Sequence, residues 1–199
     1  MTPFTSVTSL VIPMLVDNID TDTIIPSREM RSTGRTGLAD GLFAPWRYRE
    51  ARAPNPQFVL NQPEFADATI LAGGSNFGCG SSREHAVWAM AEYGLRAVIA
   101  ESFAPIFAAN CVRNGMLPVQ LPHAVVESLA GKTATIDLET QTVSSGEECW
   151  SFPISADDRA MLLGGIDAID LTLMSRGAID RWIEQDRDER PWVYLKARA

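Results

Sequence analysis

A short turn between an apolar run and an amphipathic segment constrains this chain more than any other feature. Residues 68–74 (ATILAGG) have the length and composition of a buried strand, and apolar side chains recur at helical spacing from Arg83 onwards. The glycines between them therefore form a turn from strand to helix, in which Gly78 and Gly80 can adopt backbone angles closed to other residues. The helix N-terminus offers N–H groups and Arg83 adds a guanidinium, which predicts a site for a carboxylate or a phosphate.

The turn also has a simpler interpretation. A glycine-rich turn followed by two serines is typical of an ordinary capped helix, in which Ser81 or Ser82 accepts hydrogen bonds from the first N–H groups. Neither the P-loop pattern nor the third glycine of the dinucleotide fingerprint is present, so we do not expect nucleotide binding. From the residues alone, the anion site and the capped helix both stay open.

Composition argues against several classes of function. The chain has 199 residues with 46% hydrophobic content, which suits one full core, and no run approaches the roughly 18 apolar residues that a membrane span needs. The first residues lack the pattern of a secretory signal, so we expect a cytoplasmic protein. The net charge is −8 and the 17 Lys and Arg are scattered, which argues against nucleic acid but not against an anionic substrate in one focused cleft.

The cysteines predict no metal site within this chain. Cys79, Cys111 and Cys149 are an odd number at wide spacing, which fits neither a disulfide framework nor a paired metal motif. They also cannot supply the usual four thiolates of an iron–sulfur cluster. If the chemistry uses such a cluster, another chain must carry it.

The order of elements predicts one α/β domain over residues 1–199. Residues 26–56 are rich in Gly, Pro and Arg and predict a long, substrate-facing loop, since loops of that size are usually functional or disordered. Residues 156–199 predict a helical tail. The other expected elements are strands near residues 9–15, 68–74 and 96–100, helices from residue 83 and near 105–113, a hairpin over 132–143, a strand over 149–154, and helices near 156–163 and 175–185.

Four segments resemble the swivelling domain of the aconitase superfamily in the same order. GCGSSREHA resembles its active-site segment, and residues 18–26 (NIDTDTIIP) resemble its entry motif. Residues 94–118 resemble the segment after the catalytic helix, and residues 165–173 (GIDAIDLTL) resemble the C-terminal signature of bacterial isopropylmalate dehydratase small subunits. With residues 35–48, they are distributed over the chain from residue 18 to residue 173. The resemblance implies a three-layer β/β/α domain.

The resemblance also implies a reaction and a partner. The expected reaction is a dehydration and rehydration that interconverts 2-isopropylmalate and 3-isopropylmalate, small dicarboxylates of leucine biosynthesis. In this family a separate large subunit holds a four-iron iron–sulfur cluster and supplies the acid that protonates the leaving hydroxyl. An RNA-binding or regulatory module is the alternative from another class, and the acidic charge and the lack of a stacking platform argue against it.

Site residues are carried over from the matching motifs. Ser81 is the expected base, acting as an alkoxide, while Ser82 and Arg83 are expected to bind a substrate carboxylate. Asp22, the last aspartate of the acidic turn, is expected at the active site, where it orients Ser81 or an arginine. Gly78, Gly80 and His85 are expected to support the site structurally, His85 by hydrogen bonds to the loop.

In the substrate-facing loop over residues 26–56, the recognition loop, the assignment of one arginine stays open and one pair of residues departs from the family pattern. Arg35 is the best match for a second substrate-binding arginine, with Arg31 as the alternative. Relatives carry an aromatic and leucine pair thought to meet the substrate's alkyl group, where this chain has Glu29 and Met30. A desolvated glutamate beside an isopropyl group is costly. Either Glu29 points away, or the chain is a paralogue acting on citraconate, dimethylmalate or a tricarboxylate such as aconitate.

Overall fold

A mixed β-sheet organises the computed structural model, which describes residues 1–30, 34–80 and 83–194. The seven strands of these residues have the order β4-β3-β2-β1-β5-β6-β7. They are β1 (Ser6–Met14), β2 (Ile70–Gly73), β3 (Ala97–Ala100), β4 (Leu117–Gln120), β5 (Thr133–Asp137), β6 (Thr142–Ser145) and β7 (Glu148–Ser151). The helices are α1 (Thr21–Ile24), α2 (Ala44–Arg47), α3 (Glu84–Tyr93), α4 (Pro105–Arg113), α5 (His123–Leu129), α6 (Ala156–Gly164), α7 (Ala168–Leu173) and α8 (Arg176–Glu189).

Strand β1 joins a parallel half and an antiparallel half of the sheet. Its first half pairs antiparallel with β5, where Ser6 lies opposite Asp137. Its second half pairs parallel with β2, where Val11 lies opposite Ile70. Strands β2, β3 and β4 continue the parallel half, and β5, β6 and β7 continue the antiparallel half. The loops after β1 and β2 therefore leave the same edge of the parallel half, which is where α/β proteins commonly bind ligands.

The parallel half packs against helices on one face. Ile12, Leu71 and Val98 come from three neighbouring strands and are fully buried in one apolar cluster. Val87 and Met90 of α3 belong to the same cluster. Because side chains alternate along a strand, the adjacent residues of these strands face the other way.

On the opposite face, the parallel strands share a core with the antiparallel half. Val11, Ile70 and Ile99 form a second cluster with Ile136 of β5 and Val143 of β6. Helices α5 and α6 add side chains to this cluster. One helical layer and two sheet layers result, which confirms the expected α/β fold of the β/β/α type.

The segment 26–56 has little extended regular structure, as the sequence predicts. It contains α2 and three 3₁₀ turns, and its Leu38, Leu42 and Phe43 are buried in the cluster beneath α3. The ring of Phe43 stacks on Trp46 with centroids 5.8 Å apart. Apolar anchors thus hold this loop to the parallel half.

The structure adds several elements to the predicted ones. Strand β4 and the short helices α1, α2 and α7 are among those without a counterpart, and α7 begins with a capping box at Asp167 and Asp170. Among the described residues, no helix is long and apolar enough to cross a bilayer.

Candidate active site

The loops after β1 and β2 are bonded to each other backbone to backbone. The Gly78 N–H donates to the Ile19 carbonyl at 2.8 Å, and the Thr21 N–H donates to the Cys79 carbonyl at 2.9 Å. The acidic turn and the glycine turn therefore form one unit at the edge of the sheet.

Two aspartates of the acidic turn accept hydrogen bonds from backbone N–H groups of the paired loops. Asp20 caps α1 by accepting from the Thr23 N–H at 2.5 Å. Asp17 accepts from the Ser75 N–H at 2.7 Å, so it binds the turn after β2. These contacts agree with the turn-forming role that dense Asp and Asn residues usually have. Asp22 is different because its partner is an arginine.

Arg83 and Asp22 form an ion pair where the two loops meet. Arg83 Nη1 donates to Asp22 Oδ1 and also lies 3.0 Å from Ser27 Oγ. The side chain of Arg83 is 26% exposed and that of Asp22 is 54% exposed, so the pair lies at the mouth of the site. The structure thus brings together two predicted site residues that lie 61 positions apart. Their roles toward a substrate stay predictions.

Helix α3 begins after the two serines. Its N-cap position is Arg83, with an extended backbone (φ −98°, ψ 109°), and no described side chain caps it. Ser81 and Ser82, the expected base and carboxylate ligand, lie outside the described residues. Their neighbours Gly80 and Arg83 both line one cavity.

That cavity has a volume of about 190 Å³ and lies between the paired loops and the start of α4. One side is cationic and polar, and the other is apolar. Its wall includes Gly78, Gly80, Arg83, Ile106, Phe107 and Asn110. A small anion with an alkyl substituent matches this lining, since the guanidinium can bind a carboxylate while the apolar side receives the alkyl group.

Two glycines are required for the shape of this cavity. Gly78 has φ +76° and Gly80 has φ +86°, in the left-handed region that favours glycine. A Cβ at position 78 would overlap the ring of Phe107. The expected structural roles of Gly78 and Gly80 thus have a geometric basis in this structure.

The predicted second arginine lies on the outer face of α3. The guanidinium carbon of Arg35 lies 5.0 Å from the centroid of the Trp88 ring, a cation–π contact. Arg31, the alternative, lies outside the described residues. A substrate-binding role for Arg35 stays a prediction.

A carboxylate on the same helix binds the chain next to Arg35. Glu92 Oε1 accepts from the Gly37 N–H at 2.6 Å, and Glu92 Oε2 accepts from the N–H groups of Leu38 and Ala39 at 2.6 and 2.9 Å. These backbone donors, chiefly Gly37, hold the pKa of Glu92 below its usual range. Sequence reasoning missed Glu92, since nothing marks it among other helical glutamates.

Among the described residues, His85 contacts its surroundings by ring packing, and its expected hydrogen bonds to the loop stay a prediction. In the part of the chain that the structure describes, its ring packs on Trp88 with centroids 4.6 Å apart and donates to no loop atom. The hydrogen bonds on this face belong instead to Trp88 Nε1, which donates to Asn114 Oδ1 at 2.9 Å, and to Asn114 Nδ2, which donates to Glu84 Oε1 at 2.8 Å. His85 thus contacts α3 itself by packing.

Glu29 and Met30 are directed away from the Arg83 cavity. The Glu29 carboxylate is only 10% exposed and pairs with Arg52 Nη1 at 2.9 Å. This hydrogen bond raises the pKa of Arg52. Met30 packs against the buried cluster beneath α3. Neither side chain lines the cavity, so of the two sequence alternatives the structure favours the one in which Glu29 points away.

The cysteines lie far apart in the described part of the chain. Cys79 lies in the glycine turn, Cys111 is buried in α4, where burial raises the pKa of its thiol, and Cys149 is exposed on β7. Within residues 1–30, 34–80 and 83–194, no three His, Cys, Asp or Glu are grouped to hold a metal ion. The described residues therefore do not fit an iron–sulfur cluster held by this chain alone.

Comparisons with known proteins agree on one family. Residues 1–124 match the family model of the aconitase C-terminal domain. The 3-isopropylmalate dehydratase small subunits of Cupriavidus necator and Rhodospirillum centenum are 51% and 46% identical to this chain, covering 98% and 97% of it and 99% of each relative. A crystal structure titled 3-isopropylmalate dehydratase, from Methanocaldococcus jannaschii, matches with a TM-score of 0.64 at 28% identity, covering 88% of this chain and 98% of that one. The chain therefore belongs to the family of 3-isopropylmalate dehydratase small subunits within the aconitase superfamily.

Proposed function

We propose that this chain is the small subunit of a two-subunit hydro-lyase that interconverts 2-isopropylmalate and 3-isopropylmalate. The observation that carries the proposal is the cavity in which Arg83, held by Asp22, faces an apolar wall of α4, in a chain 51% identical to a relative of that name. The role in leucine biosynthesis agrees with the cytoplasmic location that the sequence led us to expect.

The reaction removes a weakly acidic proton next to a carboxylate, so it needs a base and a positive charge to stabilise the developing anion. Arg83 supplies that charge and a fork of N–H donors for the substrate carboxylate. Asp22 holds the guanidinium in place through one nitrogen. Because Asp22 is half-exposed, water screens its own charge, and the cavity stays attractive to an anion.

Ser81 is the proposed base and Ser82 a proposed carboxylate ligand, both by resemblance. A serine hydroxyl ionises to an alkoxide only where its surroundings stabilise the negative charge. The start of α3 and the Arg83 guanidinium both provide positive potential directly after these serines in the chain. Gly80 and Arg83 flank the two serines in the chain, and both line the cavity, which supports this assignment.

A large subunit is the proposed partner, because the relatives that match nearly the whole chain are named small subunits, and three cysteines cannot supply the usual four thiolates of an iron–sulfur cluster. Bound in the large subunit, that cluster supplies a Lewis acid for the leaving hydroxyl group. The residues of this chain bind the dicarboxylate, hold the base and exclude water from the apolar side of the cavity.

Reconstitution tests the proposal. We expect the purified chain alone to dehydrate no malate derivative, and we expect activity on 3-isopropylmalate when the large subunit is added under anaerobic conditions. Activity of the lone chain contradicts the two-subunit assignment. A reconstituted complex that prefers citraconate, dimethylmalate or aconitate over 3-isopropylmalate contradicts the proposed substrate.

Two variants separate the base from the carboxylate ligand. Ser81→Ala should lower kcat by several orders of magnitude with little change in KM, because a base acts mainly in the transition state. Arg83→Lys should also raise KM, because an ammonium cannot replace a guanidinium fork. Arg113→Lys, an exposed change at the end of α4, is the matched control. Near wild-type turnover of Ser81→Ala contradicts the assigned base.

A further inference from the structure

Asn110 is a buried polar residue in the middle of α4, and its side chain has no hydrogen bond to any described residue. It is 6% exposed. Its backbone carbonyl has partners, since it accepts from the N–H and the Nδ2 of Asn114. Asp186, which is equally buried, has partners for its carboxylate in Arg190 and Tyr194. Among the described residues, Thr69 Oγ1 is the one buried side-chain polar atom without a hydrogen-bond partner, so the Asn110 amide is not sealed in the core but opens onto the cavity whose wall it lines, where a ligand can reach it.

The amide lies where a ligand would bind. Ile106, Phe107 and Asn110 are spaced three and four residues apart on α4 and line the same cavity as Arg83. The wall on which Asn110 lies is otherwise apolar. A hydrogen bond from the amide to a charged ligand is stronger in such surroundings than in water.

We propose that the Asn110 side-chain amide binds a carboxylate oxygen of the substrate and holds it between α4 and Arg83, with the alkyl substituent against Ile106. The inference rests on the proposed function and adds a binding residue that the sequence motifs do not identify. The Nδ2 group donates to the carboxylate, and the Oδ1 atom can accept from the substrate hydroxyl.

Asn110→Leu, similar in size to asparagine, separates a binding role from a structural one. In the complex reconstituted with the large subunit, kcat/KM for 3-isopropylmalate should fall roughly 10- to 100-fold, the loss expected for one hydrogen bond to a charged group. The melting temperature of the chain should change little, because the Asn110 side chain makes no hydrogen bond to a described residue and opens onto the cavity. Asn110→Asp keeps the shape but repels a carboxylate, so it should lower kcat/KM at least as much.

Ile106→Ala is the matched control on the same face of α4. It should change the preference between 3-isopropylmalate and unbranched malate, whereas Asn110→Leu should lower kcat/KM for both substrates by a similar factor. A kcat/KM within twofold of wild type for Asn110→Leu overturns the proposal. So does a loss of activity that is accompanied by a large drop in melting temperature in both Asn110 variants.

Calorimetric titration of the complexes with 3-isopropylmalate distinguishes this inference from the proposed function. If the wild-type complex binds the dicarboxylate without converting it, and Asn110→Leu weakens binding, only the proposed function fails. If the wild-type complex converts it and Asn110→Leu binds equally well, only the role of Asn110 fails. A wild-type complex that neither binds nor converts it overturns both.

Discussion

Glu92 offers the sharpest test of how the recognition loop is held. Its two carboxylate oxygens accept three backbone N–H groups from residues 37–39. Glu92 lies in the last turn of α3, where the helix dipole disfavours a negative charge. The pKa of Glu92 is nevertheless lowered, because the loop N–H groups, chiefly that of Gly37, outweigh the desolvation of the carboxylate.

Glu92→Gln retains one oxygen and replaces the other by an N–H₂ group, which cannot accept. At least one loop N–H then loses its partner, and the remaining bonds lose the assistance of the charge. Because the site is exposed, water compensates part of this loss, and we expect a cost of about 1–2 kcal/mol in local stability. The open population of the loop should rise roughly 5- to 30-fold.

Hydrogen exchange of the Leu38 and Ala39 amides measures this opening directly, because local opening exposes the amide without global unfolding. Glu127→Gln is the matched control. It makes the same change in the last turn of α5, and the Glu127 carboxylate accepts no hydrogen bond from a described residue. The control removes the unfavourable dipole interaction alone, so it should leave exchange of the loop unchanged.

The pH dependence follows from the sign of the pKa shift. A carboxylate with a lowered folded pKa stabilises the loop fully above its unfolded pKa, about 4.3, and the stabilisation is lost as the pH falls through the folded value. Wild type and Glu92→Gln should therefore differ at pH 7 and converge in acid. Equal protection of Leu38 and Ala39 in both proteins at pH 7 refutes the reasoning.

Three further predictions follow from the site. Gly78→Ala should lower the free energy of unfolding by more than the roughly 1–2 kcal/mol expected for Gly131→Ala. Both glycines have φ near +75°, but of the two only position 78 would place a Cβ against an aromatic ring. Equal losses of stability in urea unfolding would contradict the overlap with the ring. Asp22→Asn should raise KM for 3-isopropylmalate roughly tenfold by loosening the arginine that it holds, and an unchanged KM argues against that role. Replacing Glu29 and Met30 by Phe and Leu should leave substrate preference within about twofold, and a shift of tenfold or more would mean that these side chains meet the substrate after all.

Much of the fold was predictable because local signals agree with tertiary packing. Helix α4 begins at Pro105 and ends at Arg113, as expected from a proline in the first turn and the Asn-Gly pair that follows. The sequence does not predict strand β4, because its four residues include Pro118 and are too few for a visible alternation. Helix α7 was missed because residues 165–173 were treated as a family signature and not as an element.

The residues of the site could be predicted from the sequence only where they belong to a recognisable motif. Asp22 and Arg83 each belong to a recognisable segment, and both segments follow strands of one parallel sheet, so their proximity agrees with the topology. Glu92 belongs to no motif, and Asn110 lies within the resembling segment 94–118 but has no role assigned there. Each resembles an ordinary polar residue of a helix, and only the tertiary neighbours distinguish one as a loop anchor and the other as an unpaired amide.

Helix α3 connects the loop after β1 with the recognition loop, because its two ends are bonded to different segments of the chain. Its N-cap residue, Arg83, is tied to Asp22 in the loop after β1, and its last turn carries Glu92, which holds residues 37–39. Between them, Trp88 supports the Arg35 guanidinium. A helix of 10 residues thus fixes Arg83 and residues 37–39 relative to each other. Loosening the loop at Glu92 should therefore leave the Arg83–Asp22 pair in place, since the two contacts share only the helix and no side chain.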